Sequence, residues 1–177
     1  VYSKATNYGL QAGPTAGGHG YRTYVASKTS SRPASVFVNS NDGMFRAFSA
    51  ADGTELFGYV PRAVVPTMAS LSSTAYDHFY LVDGQVSEGD IYEGAWKTVV
   101  VGTGGAGPIS LFSLDVTDPS SFGTSKVRFD LTAADVPDLG HIMGRVLIAS
   151  TRAGKWVAIT GNGYESANDR AVLLIID

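Results

Sequence analysis

Two short stretches of the chain concentrate the side-chain oxygens that a hard cation such as calcium binds. The first holds Asn39, Asn41 and Asp42, and the second holds Glu165, Asn168 and Asp169. Calcium takes roughly six to eight oxygen ligands from closely spaced acids and carbonyls. Asn and Asp are also the residues that cap the backbone of tight turns. A turn role is the favoured interpretation, and Asn39, Asn41 and Asp42 remain the calcium candidates.

A glycine-rich stretch follows an apolar run at residues 102–107. Its sequence, Gly-Thr-Gly-Gly-Ala-Gly, fits the G-x-G-x-x-G pattern of dinucleotide sites. Such a site needs a helix next, because the helix N-terminus must face the pyrophosphate. The residues that follow, Pro-Ile-Ser-Leu-Phe, are strand-like. We therefore predict a hairpin loop here and no bound nucleotide.

Residues for acid–base or nucleophilic chemistry are scattered. His19, His78 and His141 lie far apart without metal-ligand spacing, and the chain has no cysteine. The G-x-S-x-G motif of serine hydrolases is absent from the sequence. A pyrroloquinoline site would need a stacking Trp, charged partners and calcium-binding carboxylates in one place, which these residues do not assemble. We predict no catalytic residue, no cofactor-binding residue and no enzymatic activity.

Composition narrows the class of protein further. Of the 177 residues, 44% are apolar and 16% are charged, with 21 glycines and a net charge of −3. This composition argues against disorder, and the lack of a basic run argues against nucleic-acid binding. There is no apolar run long enough to span a membrane. Val1 is not a Met, and Asp177 ends an apolar run. We therefore expect residues 1–177 to be one partial domain of a longer protein.

The stretch Val36–Val60 indicates how the chain is organised. It contains three strand-like runs, Val36–Asn39, Met44–Ala50 and Glu55–Val60, separated by turns at Asp42-Gly43 and Asp52-Gly53. Asp-Gly between β-forming residues is a strong hairpin signal, because Gly adopts a positive φ without a Cβ clash. Two hairpins in succession predict a three-stranded antiparallel meander.

Similar units recur later in the chain. Val99–Asp115 and Val157–Asp177 each read as an apolar strand, a glycine-containing turn and a second apolar strand. When Ser49, Asp115 and Asp177 are aligned, the copies follow one another at nearly constant spacing. Repeated meanders with strands apolar on both faces are typical of a β-propeller, where each sheet lies between two neighbours. The sequence predicts an all-β, incomplete propeller of about three blade units.

The remaining elements follow from the same patterns. Residues 1–33 read as an irregular lead-in that contains a strand at Tyr21–Lys28, and Pro61–Leu71 is the one short helix. Further strands are predicted at Tyr76–Val82, Val86–Tyr92, Trp96–Gly102, Ile109–Val116, Lys126–Leu131, Met143–Ser150, Lys155–Thr160 and Ala171–Ile176. The residues expected in the core are Phe37, Phe45, Trp96, Val100, Leu114 and Trp156.

Six motifs in order resemble the PilY/PilC proteins of type IV pili. They are VNSNDGMFRAF at Val38–Phe48, DGTELFGYVPRAVVP at Asp52–Pro66, YDHFYLVDG at Tyr76–Gly84, WKTVVVG at Trp96–Gly102, LDVTDP at Leu114–Pro119 and GKWVAITGNGYES at Gly154–Ser166. The family's C-terminal domain is a modified β-propeller, so the resemblance implies a quinoprotein-like propeller. Its D-x-D-x-D calcium loop and the Arg-Gly-Asp motif of some members are both absent from this chain.

The resemblance implies an exported protein that passes the periplasm and acts at the pilus tip, the outer membrane or the cell surface. The implied partners are minor pilins or pilus tip components, a host cell surface, and the remaining parts of its own parent chain. Calcium is implied for the parent and is not supported by these residues. The alternatives are a fragment of a quinoprotein dehydrogenase and a generic periplasmic propeller scaffold.

Polar turns are where a propeller presents binding loops. We predict three protein-contact loops, at residues 41–43, 104–108 and 162–169. Their contact residues are Asn41, Asp42, Gly43, Gly104, Gly105, Asn162, Tyr164 and Asp169. The predicted role is a non-catalytic module that acts in pilus assembly and surface attachment.

Overall fold

Eleven strands in three antiparallel sheets make up most of the regular structure that the computed structural model describes, which covers residues 1–12 and 19–177. Sheet 1 has the order β1 (Tyr2–Ser3), β2 (Ser35–Asn39), β3 (Phe45–Ser49) and β4 (Glu55–Tyr59). Sheet 2 has the order β5 (Val86–Tyr92), β6 (Trp96–Thr103), β7 (Ser110–Asp115) and β8 (Val127–Thr132). Sheet 3 has the order β9 (Leu147–Ser150), β10 (Trp156–Gly161) and β11 (Leu173–Ile176). The all-β prediction is confirmed.

The chain order of the strands is also their spatial order in every sheet. Ser49 is the last residue of β3, Asp115 is the last residue of β7, and Asp177 directly follows β11. The alignment made on the sequence therefore superimposes the third strand of each sheet. Three successive meanders of the same topology are the blade units that the sequence predicted.

The two turns of the first meander show why the sequence folds in this way. Gly43 has a φ of 91° and Gly53 has a φ of 76°, a region that L-residues with a side chain rarely adopt. The carboxylate of the preceding aspartate accepts a backbone N–H on the far side of each turn. Asp42 accepts from Met44 N at 3.1 Å, and Asp52 accepts from Thr54 N at 3.1 Å.

Sheet 2 lies between the other two sheets and uses both of its faces. On one face, Val100 and Phe112 pack against Phe45 of sheet 1. On the other face, Val101 packs in a cluster with Ala158 of sheet 3. Successive strand residues point to opposite faces, so a strand buried on both sides must be apolar throughout. The six residues expected in the core are all buried, at 9% exposure or less.

The strand predicted at Tyr21–Lys28 is wrong, because these residues belong to helix α1 (Tyr21–Ser31). The lead-in is therefore not irregular throughout. Tyr21 and Lys28 are seven residues apart, close to two helical turns, and both are buried. The Tyr21 ring lies 4.5 Å from that of Trp96 on sheet 2. The helix carries few other apolar residues, so its sequence gave little sign of a buried face.

Two further predictions need correction. Residues 76–82 form no strand. Tyr76 and Tyr80 are exposed, Leu81 and Val82 are buried in the core, and Phe79 packs against it. The helix expected near residues 61–71 is present as the 3₁₀ helix Val65–Ser72. The prediction of a single helix is wrong, because the chain also contains α1.

Trp156 tests the contact between sheets 2 and 3. Its side chain is 8% exposed and its ring lies 6.2 Å from that of Trp96, nearly perpendicular to it. We expect Trp156→Ala to lower the free energy of unfolding by about 3–5 kcal/mol, because it removes a large buried ring and leaves a cavity. Urea denaturation measures this change. Tyr80→Ala, at a tyrosine that is 50% exposed, is the control and should change little.

Glu93, in the turn between β5 and β6, should make the stability of the fold depend on pH. Hydrogen bonds from Arg128 at 2.6 and 2.8 Å, and then from Lys97, lower the pKa of Glu93 to about 2. A carboxylate with a depressed pKa contributes stability above its unfolded pKa and loses it as the pH falls through the folded value. Between pH 5 and pH 2, we therefore expect Glu93→Gln to lose less stability than the wild type.

Thermal melts over this pH range provide the measurement. Asp77→Asn is the control, because Asp77 is exposed and none of the ion pairs in the described part of the chain includes it. Equal acid sensitivity of Glu93→Gln and the wild type would contradict the assignment. The effect is small, because exposed ion pairs are screened by solvent.

Candidate functional site

The three predicted contact loops occupy the same place in the three sheets. Loop 41–43 joins β2 to β3, loop 104–108 joins β6 to β7, and loop 162–169 joins β10 to β11. In an antiparallel meander, successive turns lie at opposite ends of the strands. These three are equivalent turns, and hydrogen bonds described below link them. We call them together the loop face.

Segment 81–84 joins the first loop to the second. Leu81 N donates a hydrogen bond to Asn41 Oδ1 at 3.3 Å, and Asp83 N donates to the carbonyl oxygen of Gly104 at 3.0 Å. The two backbones touch, because a Cβ at Gly107 would overlap the carbonyl oxygen of Leu81. Only glycine allows this approach.

His141 joins the second loop to the third. Its Nδ1 lies 3.1 Å from the carbonyl oxygen of Gly105, so Nδ1 carries the proton and donates it. The backbone N–H of His141 donates to the Tyr164 carbonyl at 2.8 Å. The His141 and Tyr164 rings stack with their centroids 5.1 Å apart. The three loops thus form one continuous surface.

Asn162 fixes the base of the third loop. It is 3% exposed, and its Nδ2 donates to the carbonyl oxygens of Asp138 and Arg170, both at 2.8 Å. Its Oδ1 accepts from Val172 N at 2.9 Å. The side chain therefore holds the two ends of the loop together. This gives Asn162 a positioning role in the fold, and contact with a partner stays a prediction.

The third loop is held in a restrained conformation. Glu165 and Asp169 have φ values of 58° and 48°, in the left-handed region that non-glycine residues rarely adopt. Hydrogen bonds from Asn168, and then from Arg170, lower the pKa of Asp138, which anchors the loop from outside. Such backbone restraint occurs where neighbouring contacts fix a loop, frequently at functional sites.

Exposed aromatic and acidic side chains give the loop face its chemistry. Tyr164 is 49% exposed and Tyr80, next to segment 81–84, is 50% exposed. Glu165, Asp83 and Asp169 are exposed carboxylates on the same loops and segment. Tyrosine combined with polar groups is typical of protein-recognition surfaces, because its ring supplies contact area at low entropic cost.

The three calcium candidates each make a contact within the protein. Asn39 Nδ2 donates to the Gly84 carbonyl at 2.6 Å, Asn41 accepts from segment 81–84, and Asp42 pairs with Arg46. Asn39 Oδ1 is buried without a hydrogen-bond partner among the described residues, and the calcium role of these residues stays a prediction. In residues 1–12 and 19–177, no group of three or more His, Cys, Asp or Glu is placed to hold a metal ion.

Segment 81–84 and His141 are the parts of the site that sequence reasoning missed. They act mainly through backbone hydrogen bonds, which carry little side-chain signal. The glycines around them were the available clue. Of the other histidines, His19 stacks on Tyr92 at 4.0 Å and His78 lies beside Tyr76.

Stacked antiparallel sheets with equivalent loops at one edge define part of a β-propeller. Residues 3–177 match the family model described as the PilY1 beta-propeller domain, and the chain belongs to this family. The resemblance seen in the six motifs is confirmed. No helix in residues 1–12 and 19–177 has the length and apolar character needed to cross a bilayer.

Relatives and a solved structure agree with this assignment. A type IV pilus biogenesis factor PilY1 homolog from Xylella fastidiosa is 40% identical over 182 residues, which cover 100% of this chain and 12% of that protein. PilY1 from Pseudomonas aeruginosa PAO1 is 39% identical over 161 residues, covering 89% of this chain and 13% of that protein. The crystal structure of the Pseudomonas aeruginosa PilY1 C-terminal domain is 38% identical with a TM-score of 0.80, over 99% of this chain and 34% of that one.

Asn162 provides a test of how the loop face is built. Asn162→Ala leaves two carbonyls and one N–H without their partner, so we expect a stability loss of about 1–3 kcal/mol. Hydrogen exchange should also rise first in residues 162–170. Tyr164→Phe, which keeps the ring and removes only the hydroxyl of an exposed residue in the same loop, is the control. Unchanged exchange in the Asn162 variant would contradict the positioning role.

Proposed function

We propose that this chain is a non-catalytic propeller module that acts in type IV pilus assembly and surface attachment by protein–protein contact. The observation that carries the proposal is the loop face. Three loops from three sheets are joined by hydrogen bonds through segment 81–84 and His141. A rigid scaffold that gathers loops at one edge is a common way for proteins to present a binding surface.

The chemistry of the loop face favours binding over catalysis. A catalytic base needs a free, oriented nitrogen within reach of a nucleophile. His141 donates Nδ1–H to the Gly105 carbonyl, which leaves Nε2 as its basic nitrogen, and Nε2 lies 3.7 Å from the Glu165 carboxylate. Neither contact pairs the ring with a hydroxyl group. The family membership supports a pilus role and gives no support to a quinoprotein dehydrogenase.

The partners we propose are minor pilins or other pilus tip components, a host cell surface, and further parts of the parent protein. The outer faces of sheets 1 and 3 suit the last of these. Val36 and Val38 on β2, and Leu173 and Ile175 on β11, are exposed at 37–65%. Apolar sheet faces of this kind pack against another sheet in a propeller. The corresponding location is outside the cytoplasm, through the periplasm to the outer membrane or pilus tip.

Complementation of a strain that lacks the parent gene tests the proposal. Tyr164→Ala and Asp83→Ala remove exposed side chains of the loop face without touching its backbone hydrogen bonds. We expect each to reduce surface piliation and attachment several-fold at unchanged protein level, because a few exposed anchors carry most of the binding energy in an interface. Piliation is measured by shearing and attachment by adherent cell counts.

Asp52→Ala is the matched control, since Asp52 lies in the β3–β4 turn at the opposite edge of sheet 1. Full activity of both loop-face alleles would reject the loop face as the contact surface. Turnover of an alcohol by the purified protein with added quinone would reject the non-catalytic role as a whole.

A further inference from the structure

A cavity of about 370 Å³ lies between the first strands of sheets 2 and 3. Ser87 to Asp90 of β5 form one wall, and residues 145–148 at the start of β9 form the other. Tyr8 and Leu10, from the segment before α1, also line it. None of these residues belongs to the loop face, so the pilus role leaves the cavity without an assigned purpose.

Much of the cavity wall is apolar. Leu10, Val146, Ile148 and Trp156 line it, and Trp156 and Val146 are otherwise buried in the packing of sheets 2 and 3. Small-molecule sites are mostly apolar pockets of roughly 300–1,000 Å³ with a few polar groups that fix orientation. This cavity is at the small end of that range, so it fits a ligand with a short apolar body.

Ser87 supplies an unsatisfied polar group at the same wall. Its side chain is 2% exposed, and its Oγ has no hydrogen-bond partner among the residues that the structure describes. Most buried hydroxyls have a partner, and one without a partner calls for a reason. A serine hydroxyl can rotate to meet an acceptor or donor that enters the cavity.

Arg145 supplies a positive charge at the cavity that no carboxylate of the described residues neutralises. Asp90 is paired with Lys28 at 2.6 Å, and Glu88 lies 3.9 Å from Arg32, so these two carboxylates already have cationic partners. Arg145 is exposed at the cavity, and the ion pairs found in residues 1–12 and 19–177 do not include it. The charge left over at the cavity is therefore positive.

We propose that this cavity binds a small amphipathic carboxylate. The carboxylate meets the guanidinium of Arg145, whose planar fork suits two carboxylate oxygens. The apolar body packs against Trp156 and Ile148, and the Ser87 hydroxyl gains the partner that it lacks. The site is separate from the loop face, so it can exist whether or not the loop face binds a pilus component.

Calorimetric titration of the purified protein with three six-carbon probes tests the site. Sodium hexanoate should bind with one site per chain, 1-hexanol should bind more weakly, and hexylamine should show no binding. Trp156 lines the cavity, so its fluorescence should change with hexanoate. No heat and no fluorescence change with hexanoate at millimolar concentration would overturn the proposal. Hexylamine binding as tightly as hexanoate would overturn it too, because the carboxylates would then be the attracting groups.

Hexanoate binding to two variants and one control variant tests whether the ligand lies in this cavity. Arg145→Gln should weaken hexanoate binding about tenfold, the loss of one charge-assisted contact at an exposed position. Arg152→Gln should leave binding unchanged, because Arg152 is likewise exposed and lies outside this cavity. Ser87→Ala should weaken binding several-fold with no loss of thermal stability, because the hydroxyl has no partner to lose. Unchanged binding in Arg145→Gln or Ser87→Ala, or an equal loss in Arg152→Gln, would overturn the assignment.

Discussion

The burial of sheet 2 on both faces is the constraint on which the rest of the structure depends. Its middle strand β6 reads Val-Val-Val at residues 99–101, and these three are at most 2% exposed although they point to alternate sides. Burial of an apolar side chain contributes roughly 1.5–3 kcal/mol, so the strand stabilises the fold only if both neighbouring sheets are present. Sheets 1 and 3 are held at fixed positions by this requirement. The equivalent loops of all three sheets are then brought to one edge.

Helix α1 is attached to this stack mainly through charge and hydrogen bonds. Lys28 Nζ lies 2.6 Å from Asp90 Oδ2, which also accepts from Tyr21 at 2.8 Å, and both charged side chains are almost fully buried. Breaking such a pair by removing one partner is costly, because the other charge stays buried. Glu88 nearby faces Arg32, and burial raises the pKa of Glu88. Its ionised form therefore costs the fold stability at neutral pH, and that cost falls as the pH drops through the raised pKa.

Most of the fold could be predicted from local sequence, and the exceptions share one cause. β5 was placed at the bounds that the structure shows, because the turn residues Asp83-Gly84 and Glu93-Gly94 on either side of it mark its ends in the sequence. Helix α1 was missed, since Lys28 is buried only through a partner on β5. The strand expected at residues 76–82 failed because no other strand pairs with it. In the site, the three loops were visible as polar turns. Their connection through segment 81–84 and His141 could not be predicted. It depends on hydrogen bonds to backbone carbonyls far away in the sequence, and every residue has such a carbonyl.

The construction of the loop face separates what shapes it from what it can recognise. Its backbone is fixed by glycines at close contacts, such as Gly107 against Leu81, and by Asn162. These residues are mostly buried and present little to a partner. The side chains of Tyr164 and Asp83 are exposed, and apart from the stack of Tyr164 on His141 the loops are held by the backbones of these residues. Substitution at such positions changes the surface chemistry while the hydrogen bonds that shape the loops remain. If the loop face is the contact surface, as we propose, such a propeller can change its binding partner without a change of fold, as expected for a scaffold whose function resides in its loops.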